Sequence, residues 1–212
     1  MNTTELVFII DRSGSMGGLE SDTIGGFNSL IEEQKELEGK AIVSTILFDN
    51  RYDLIHNRLD IKEVSPLTRK EYFVRGTTAL LDAVGRTITR IHRGYCETLR
   101  EERPEKVMFI ITTDGFENAS REFSYSRVRT HIQEMKKKYD WEFIFWGANI
   151  DALREAKRFG INEERAVRYH ADSAGTKKNY RAMGKAVTSY RNSLEIDANW
   201  KEEIEKDYKL RR

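Results

Sequence analysis

The sequence predicts an α/β domain whose central sheet is mostly parallel, with one antiparallel edge strand and helices on both faces. Three observations predict it. Short continuous apolar runs, "ELVFII", "KVMFIIT" and "WEFIFWG", each stop at a polar or glycine turn, as strands buried on both faces do. Helical apolar patterns separate these runs, so strand and helix alternate. Finally, two β-rich stretches in "KAIVSTILFDNRYDLIHNRLDI" meet at Asp49-Asn50-Arg51 with almost no linker, which predicts a hairpin and hence the antiparallel edge.

Taken in order, "ELVFII" is the first strand and ends at Asp11. Ile24, Phe27, Leu30 and Ile31 mark a helix that closes near Glu38 and Gly39. Gly25-Gly26 inside it is costly for a helix, which predicts close packing of that helix on the sheet. The hairpin follows. Leu80, Leu81, Val84, Ile88 and Ile91 form the next stripe, then the strand before Asp114, a helix carrying Val128, Ile132 and Met135, and the strand ending at Gly147. "RAVRYH", Arg165 to His170, predicts a last strand. From Thr176, a stripe of Tyr180, Met183, Val187, Tyr190 and Leu194 predicts a helix against the sheet. The final "NWKEEIEKDYKLRR" keeps only Trp200, Ile204 and Tyr208 on one face, which reads as a weakly packed helix in preference to a partner-binding arm.

With 212 residues, 39% hydrophobic and 33% charged, the chain suits one folded domain and neither a disordered nor a fibrous polymer. The 36 Lys and Arg nearly balance 35 Asp and Glu, so no global field draws it to nucleic acid or to a membrane surface. Any charged site must be local. The single cysteine, Cys96, cannot make an internal disulfide, no apolar stretch reaches the ~20 residues of a bilayer span, and "MNTTELVFIID" lacks a basic leader. A cytoplasmic location is therefore expected.

In an alternating α/β sheet, ligands sit beyond the carboxyl ends of the strands. Three stretches lie there. "DRSGSMGG" places Asp11, Ser13 and Ser15 on alternating positions, so that in a near-extended turn they share one side while Arg12 and Gly14 face the other. "VRGTTALLDAV" brings Thr77 or Thr78 to the start of a helix, and "ITTDGFEN" brings Asp114. All are oxygen donors with no His or Cys beside them, the donor set of a hard divalent cation such as Mg²⁺, with Mn²⁺ tolerated. Singly, Ser13 or Ser15 suits helix capping, Thr78 an N-cap and Asp114-Gly115 a turn. Three hydroxyls and two carboxylates at three such places are harder to explain as caps alone. Asp82 reads as a first-turn carboxylate and Asp49 as a hairpin-turn residue, either able to support the site from behind. His56, His92, His131 and His170 fall in separate elements, without metal-ligand spacing and for the most part at the surface or an edge.

These motifs resemble those of the von Willebrand factor type A family. "DRSGS", "GTTALLDA" and "TTDG" look like the three parts of its metal-ion-dependent adhesion site, and the element order fits that Rossmann-like fold up to about His170. The resemblance implies that Asp11, Ser13, Ser15 and Asp114 hold the metal. The family pattern Gly-Gly-Thr-Ala-Leu falls on Gly76-Thr77-Thr78-Ala79-Leu80, which implies Thr78 as the remaining ligand and Thr77 in place of a glycine. Residues 1–170 would then form the domain and 171–212 a C-terminal helical extension packed on it or trailing it, similar to the tail of small stand-alone prokaryotic and phage members.

With two charged ligands, and Asp114 acting through water as its equivalent often does in the family, the ion stays electron-poor and open to an outside anionic oxygen. The function implied is protein binding, in which bound Mg²⁺ or Mn²⁺ accepts an Asp or Glu carboxylate of a partner. Met16, Phe116, Glu117 and Arg121 are rim candidates. A metal-assisted phosphohydrolase and an adaptor subunit docking on an AAA+ ATPase are the rival readings. Enzyme chemistry is not expected. A haloacid-dehalogenase-type phosphotransferase needs a second aspartate where Ser13 stands, and "SGSMGG" fits neither a dinucleotide fingerprint, a phosphate-binding loop with its lysine, nor a Gly-x-Ser-x-Gly elbow.

Overall fold

A computed structural model describes residues 3–148, 151–192, 195–197 and 199–211. Six strands form one sheet in the order β3-β2-β1-β4-β5-β6. They are β1 (Thr3–Asp11), β2 (Lys40–Phe48), β3 (Tyr52–Asp60), β4 (Lys106–Thr113), β5 (Glu142–Ala148) and β6 (Ala166–Tyr169). Every pairing is parallel except β2 with β3, the hairpin at the edge. The helices are α1 (Glu20–Lys35), α2 (Leu80–Glu97), α3 (Tyr125–Tyr139), α4 (Ala152–Phe159), α5 (Ser173–Asn192) and α6 (Glu202–Leu210).

The period-two alternation of strand side chains divides the core into two layers. Leu6, Phe8 and Ile10 of β1, with Met108 and Ile110 of β4, face α1, α5 and α6. Val7 and Ile9, with Val107, Phe109 and Ile111, face α2, α3 and α4. Both faces are covered, which is why β4 is buried along its whole length and reads as an unbroken apolar run.

The helix stripes read from the sequence are buried apart from Ile24 and Tyr208, which are half-buried, and Leu194, which lies outside the described residues. Two features differ from the reading. Helix α4 has no counterpart in it, although Asp151 accepts a capping bond from the Arg154 N–H at 3.3 Å and Gly160 closes the helix with φ +77. The glycine pair in α1 also packs differently. A Cβ on Gly26 would meet the Tyr180 ring of α5 at 2.3 Å, while one on Gly25 would meet nothing, so it is a neighbouring helix and not the sheet that requires the glycine.

Register is what builds the site. Ile10 of β1 lies opposite Thr112 of β4, so Asp11 and the pair Thr113-Asp114 leave adjacent central strands at the same level.

Candidate metal centre

The five residues singled out in the sequence meet in one hydrogen-bonded group. Asp11 ends β1 fully buried, and its Oδ1 accepts the Ser13 N–H at 2.7 Å. The Ser13 and Ser15 Oγ atoms lie 3.1 Å apart, on the same side of the loop. Thr78 Oγ1 donates to Ser13 Oγ at 2.9 Å, and Ser15 Oγ donates to Asp114 Oδ1 in a short bond. Thr77 is not in this chain of contacts.

The capping alternative fails on the geometry. Ser13 precedes a 3₁₀ turn (Gly14–Met16) but makes no side-chain cap bond, and the N-cap of α2 is Ala79, not Thr78. The hydroxyls point at one another and leave the helix ends to others. Glu117 does that work for α2, its carboxylate accepting the Leu81 N–H at 2.9 Å, and it also holds its own loop by accepting the Ala119 and Ser120 N–H groups at 2.9 and 2.8 Å.

Backbone shape brings the three loops together. The Gly14 N–H donates to the Gly76 carbonyl at 3.1 Å, tying the first motif to the second. Gly76 has φ +67, and a Cβ there would meet Asn50 Oδ1 at 2.2 Å, so no other residue fits without displacement. A Cβ on Gly115 would come within 2.9 Å of both Ser15 Oγ and Thr78 Oγ1. That glycine leaves room in front of the hydroxyls.

The electrostatics contrast with the surroundings. Burial pushes the Asp11 carboxyl up to about 6, against hydrogen bonds from Thr113 and Ser13 that lower it, and burial also raises Asp114. Neither is paired with a lysine or arginine among the described residues, and Asp114 Oδ2 is buried without a hydrogen-bond partner. In the β2–β3 turn, Asp49 has two partners: Arg12 Nε at 3.3 Å and Arg75 Nε at 2.5 Å. Arg12 and Arg75 both also pair with Asp53. Of the buried carboxylates nearby, Asp49 is neutralised by arginines and Asp82 is satisfied by backbone N–H groups, whereas at the Asp11–Asp114 pair all-oxygen side-chain donors converge. That donor set suits a hard divalent cation. Among the described residues no cluster of three or more His, Cys, Asp or Glu side chains is assembled for a metal, so the centre relies on two carboxylates supplemented by hydroxyls.

Several contributors were not legible in the sequence. Thr113 Oγ1 donates to Asp11 Oδ2 at 2.6 Å, and the Tyr72 hydroxyl to the Asp11 carbonyl at 2.7 Å. Asn118 Oδ1 accepts the Thr78 N–H at 2.9 Å. Thr113 sits inside "TTDG", so adjacency alone signalled it; Tyr72 and Asn118 come from loops without a pattern. Asp82 accepts backbone N–H bonds from Arg121, Glu122 and Phe123 at 2.8 to 2.9 Å, so it holds the loop after β4 and is not merely a first-turn charge. Of the rim candidates, Phe116 (63% exposed) and Arg121 reach solvent. Met16 does not, being buried to 1%, and the Glu117 carboxylate is occupied by α2. His56 lies on the edge strand β3 with its side chain turned inward, bonded to Thr45 Oγ1 at 3.0 Å.

No protein-family model and no curated protein matches the sequence. Solved structures do match in fold. Proximal thread matrix protein 1 from the mussel byssus, with a zinc-occupied metal-ion-dependent adhesion site, is 15% identical with a TM-score of 0.56 over 86% of this chain and 45% of its own. Manganese-loaded Plasmodium vivax TRAP protein is 18% identical with a TM-score of 0.57, covering 84% of this chain and 73% of its own. A von Willebrand factor type A protein from Catenulispora acidiphila is 13% identical with a TM-score of 0.56, over 87% and 42%. The chain spans less than half the length of the mussel and Catenulispora proteins. At these identities the likeness is one of fold: the six-stranded sheet with its antiparallel edge and helices on both faces is the von Willebrand factor type A fold.

Proposed function

We propose that this protein is a metal-dependent protein-binding module. Asp11, Ser13, Ser15, Thr78 and Asp114 hold Mg²⁺ or Mn²⁺, and the bound ion supplies a Lewis-acidic position for a carboxylate oxygen from an Asp or Glu of a partner. The observation that carries the reading is a pair of buried carboxylates joined by three hydroxyls, with no side-chain cation paired to either. A zinc-occupied metal-ion-dependent adhesion site in one fold neighbour and manganese bound to another support it. The chain's own residues orient the donors: Thr113 and the Ser13 N–H fix the Asp11 carboxylate, and Glu117 and Asn118 fix the loop that carries Thr78. Phe116 and Arg121, exposed beside the centre, would select the partner.

Calorimetry tests this directly. Mg²⁺ or Mn²⁺ should bind the wild-type chain and bind Asp11→Ala no longer, with the circular dichroism spectrum unchanged. Equal affinity in the two proteins would remove the site. Metal-dependent turnover of a generic phosphoester, lost in the same variant, would favour a phosphohydrolase instead.

A further inference from the structure

Beside the metal centre, α2 and the loop leading to α3 enclose a groove of about 660 Å³ with an unusual charge. Arg86, Arg90, Arg93 and Arg127 line it against one acid, Glu122. In a chain whose total charge is +1, this is a concentrated positive patch. Glu122 is engaged by Arg86, whose Nε donates to it at 2.8 Å. Arg127 lies 4.4 Å over the Phe123 ring. Arg90 lies beside the Tyr52 hydroxyl, and neither Arg90 nor Arg93 forms an ion pair with a carboxylate among the described residues. Elsewhere on the surface arginines find acids readily, at Arg158–Glu155, Arg165–Glu142 and Arg211–Asp172.

The groove is built, not incidental. A Cβ on Gly85 would strike the Phe123 ring at 2.2 Å, so the glycine lets that ring seat against α2 and form an apolar wall. Asp82 fixes the backbone of residues 121–123 by three hydrogen bonds. Arg86 and Glu122 also line a second cavity of about 560 Å³ that runs on to Thr77 and Asn118, at the edge of the metal centre.

We propose that this groove binds an acidic segment of polypeptide, the part of the partner that continues from the carboxylate at the metal. The anion preference follows from the arginines alone; the assignment to a protein partner rests on the function proposed above. Arg86, Arg90 and Arg93 rise along one helix face by about 6 and about 4.5 Å, within reach of acidic side chains recurring every ~6.6 Å on one side of an extended segment. Guanidinium forks bind carboxylates bidentately, and the Tyr52 and Phe123 rings offer the apolar contact that a peptide backbone and its stems use. Near-neutral total charge disfavours a long nucleic-acid strand, whose affinity depends on many phosphate contacts.

The test is fluorescence anisotropy with a fluorescein-labelled peptide alternating Glu and Ser, in Mg²⁺ and in EDTA. An oligothymidylate of equal charge serves as competitor. The double variant Arg90→Ala/Arg93→Ala should lose about tenfold in peptide affinity in both buffers while its calorimetric Mg²⁺ affinity and circular dichroism stay unchanged. Peptide binding by the double variant equal to wild type would overturn the proposal, and so would tighter binding of the oligothymidylate than of the peptide. EDTA-insensitive peptide binding with the arginine effect intact would support the groove and count against the metal reading alone.

Discussion

Glu5 illustrates how one residue's environment writes a pH dependence into the whole chain. It sits fully buried in β1, its Oε1 accepts the Arg58 Nε–H at 3.0 Å, and its Oε2 has no partner. Burial outweighs the arginine and raises its carboxyl to about 7. The folded state therefore holds this proton more tightly than the unfolded chain does. The stability so conferred is complete below pH ~4.5 and is lost as pH rises toward about 7, an effect on the order of 3 kcal/mol. Glu5→Gln, neutral and isosteric, should flatten the fall in unfolding free energy between those pH values, measured by urea titration. An unchanged slope would show that Glu5 titrates normally. The contrast with Asp11 is instructive: both are buried carboxylates of β1, but Glu5 has an arginine beside it and Asp11 has only hydroxyls, a backbone N–H and another carboxylate.

At the scale of elements, the contact between α1 and α5 is set by a single absent methyl group. Tyr180 presses its ring onto Gly26, and a Cβ there would lie 2.3 Å from Cδ2 and 2.5 Å from Cγ, too near the root of the side chain for the ring to swing clear. Gly26→Ala should destabilise by about 1–3 kcal/mol through overpacking, more than offsetting the ~1 kcal/mol helix preference for alanine. Gly25→Ala, with open space around it, should instead stabilise by up to ~1 kcal/mol. Chemical denaturation of the two variants, one residue apart, reads the opposite signs. The same logic explains why α4 was missed from the sequence. Its eight residues bury Ala152, Ala156 and Phe159, a stripe with one large apolar side chain, and its definition comes as much from the Asp151 cap and Gly160 as from periodicity.

For the molecule as a whole, the sheet has two faces and the chain covers them in different ways. Helices α2, α3 and α4 cover one, while the other is shared by α1 with α5 and α6, the last two supplied by residues beyond β6. Tyr180, Met183, Val187, Trp200 and Ile204 lie in the same apolar cluster as Leu6, Phe8 and Trp146. Trp200 meets Trp146 edge to face at 5.2 Å. A chain ending at Asp172 should expose that face. It should lose cooperative thermal unfolding and bind a hydrophobic dye, as a collapsed state does. A sharp transition in the truncated chain would mean that residues 173–211 add little to folding. Among the described residues no helix is long and apolar enough to cross a membrane.

The sequence by itself determined the strands, most of the helices and the three loops that bear the oxygen donors, because burial imposes periodicity and strand ends impose turns. Those signals are local and survive in a single chain. Only the tertiary structure decided that Asp11, Ser13, Ser15, Thr78 and Asp114 share hydrogen bonds while Thr77 does not, that Met16 turns inward, and that Arg90 and Arg93 face a groove whose one acid, Glu122, is engaged by Arg86. Periodicity records which side chains leave water. It does not record which side chain from a distant loop each will meet, and that is set by strand register and by the shape of backbone at positions such as Gly76 and Gly115.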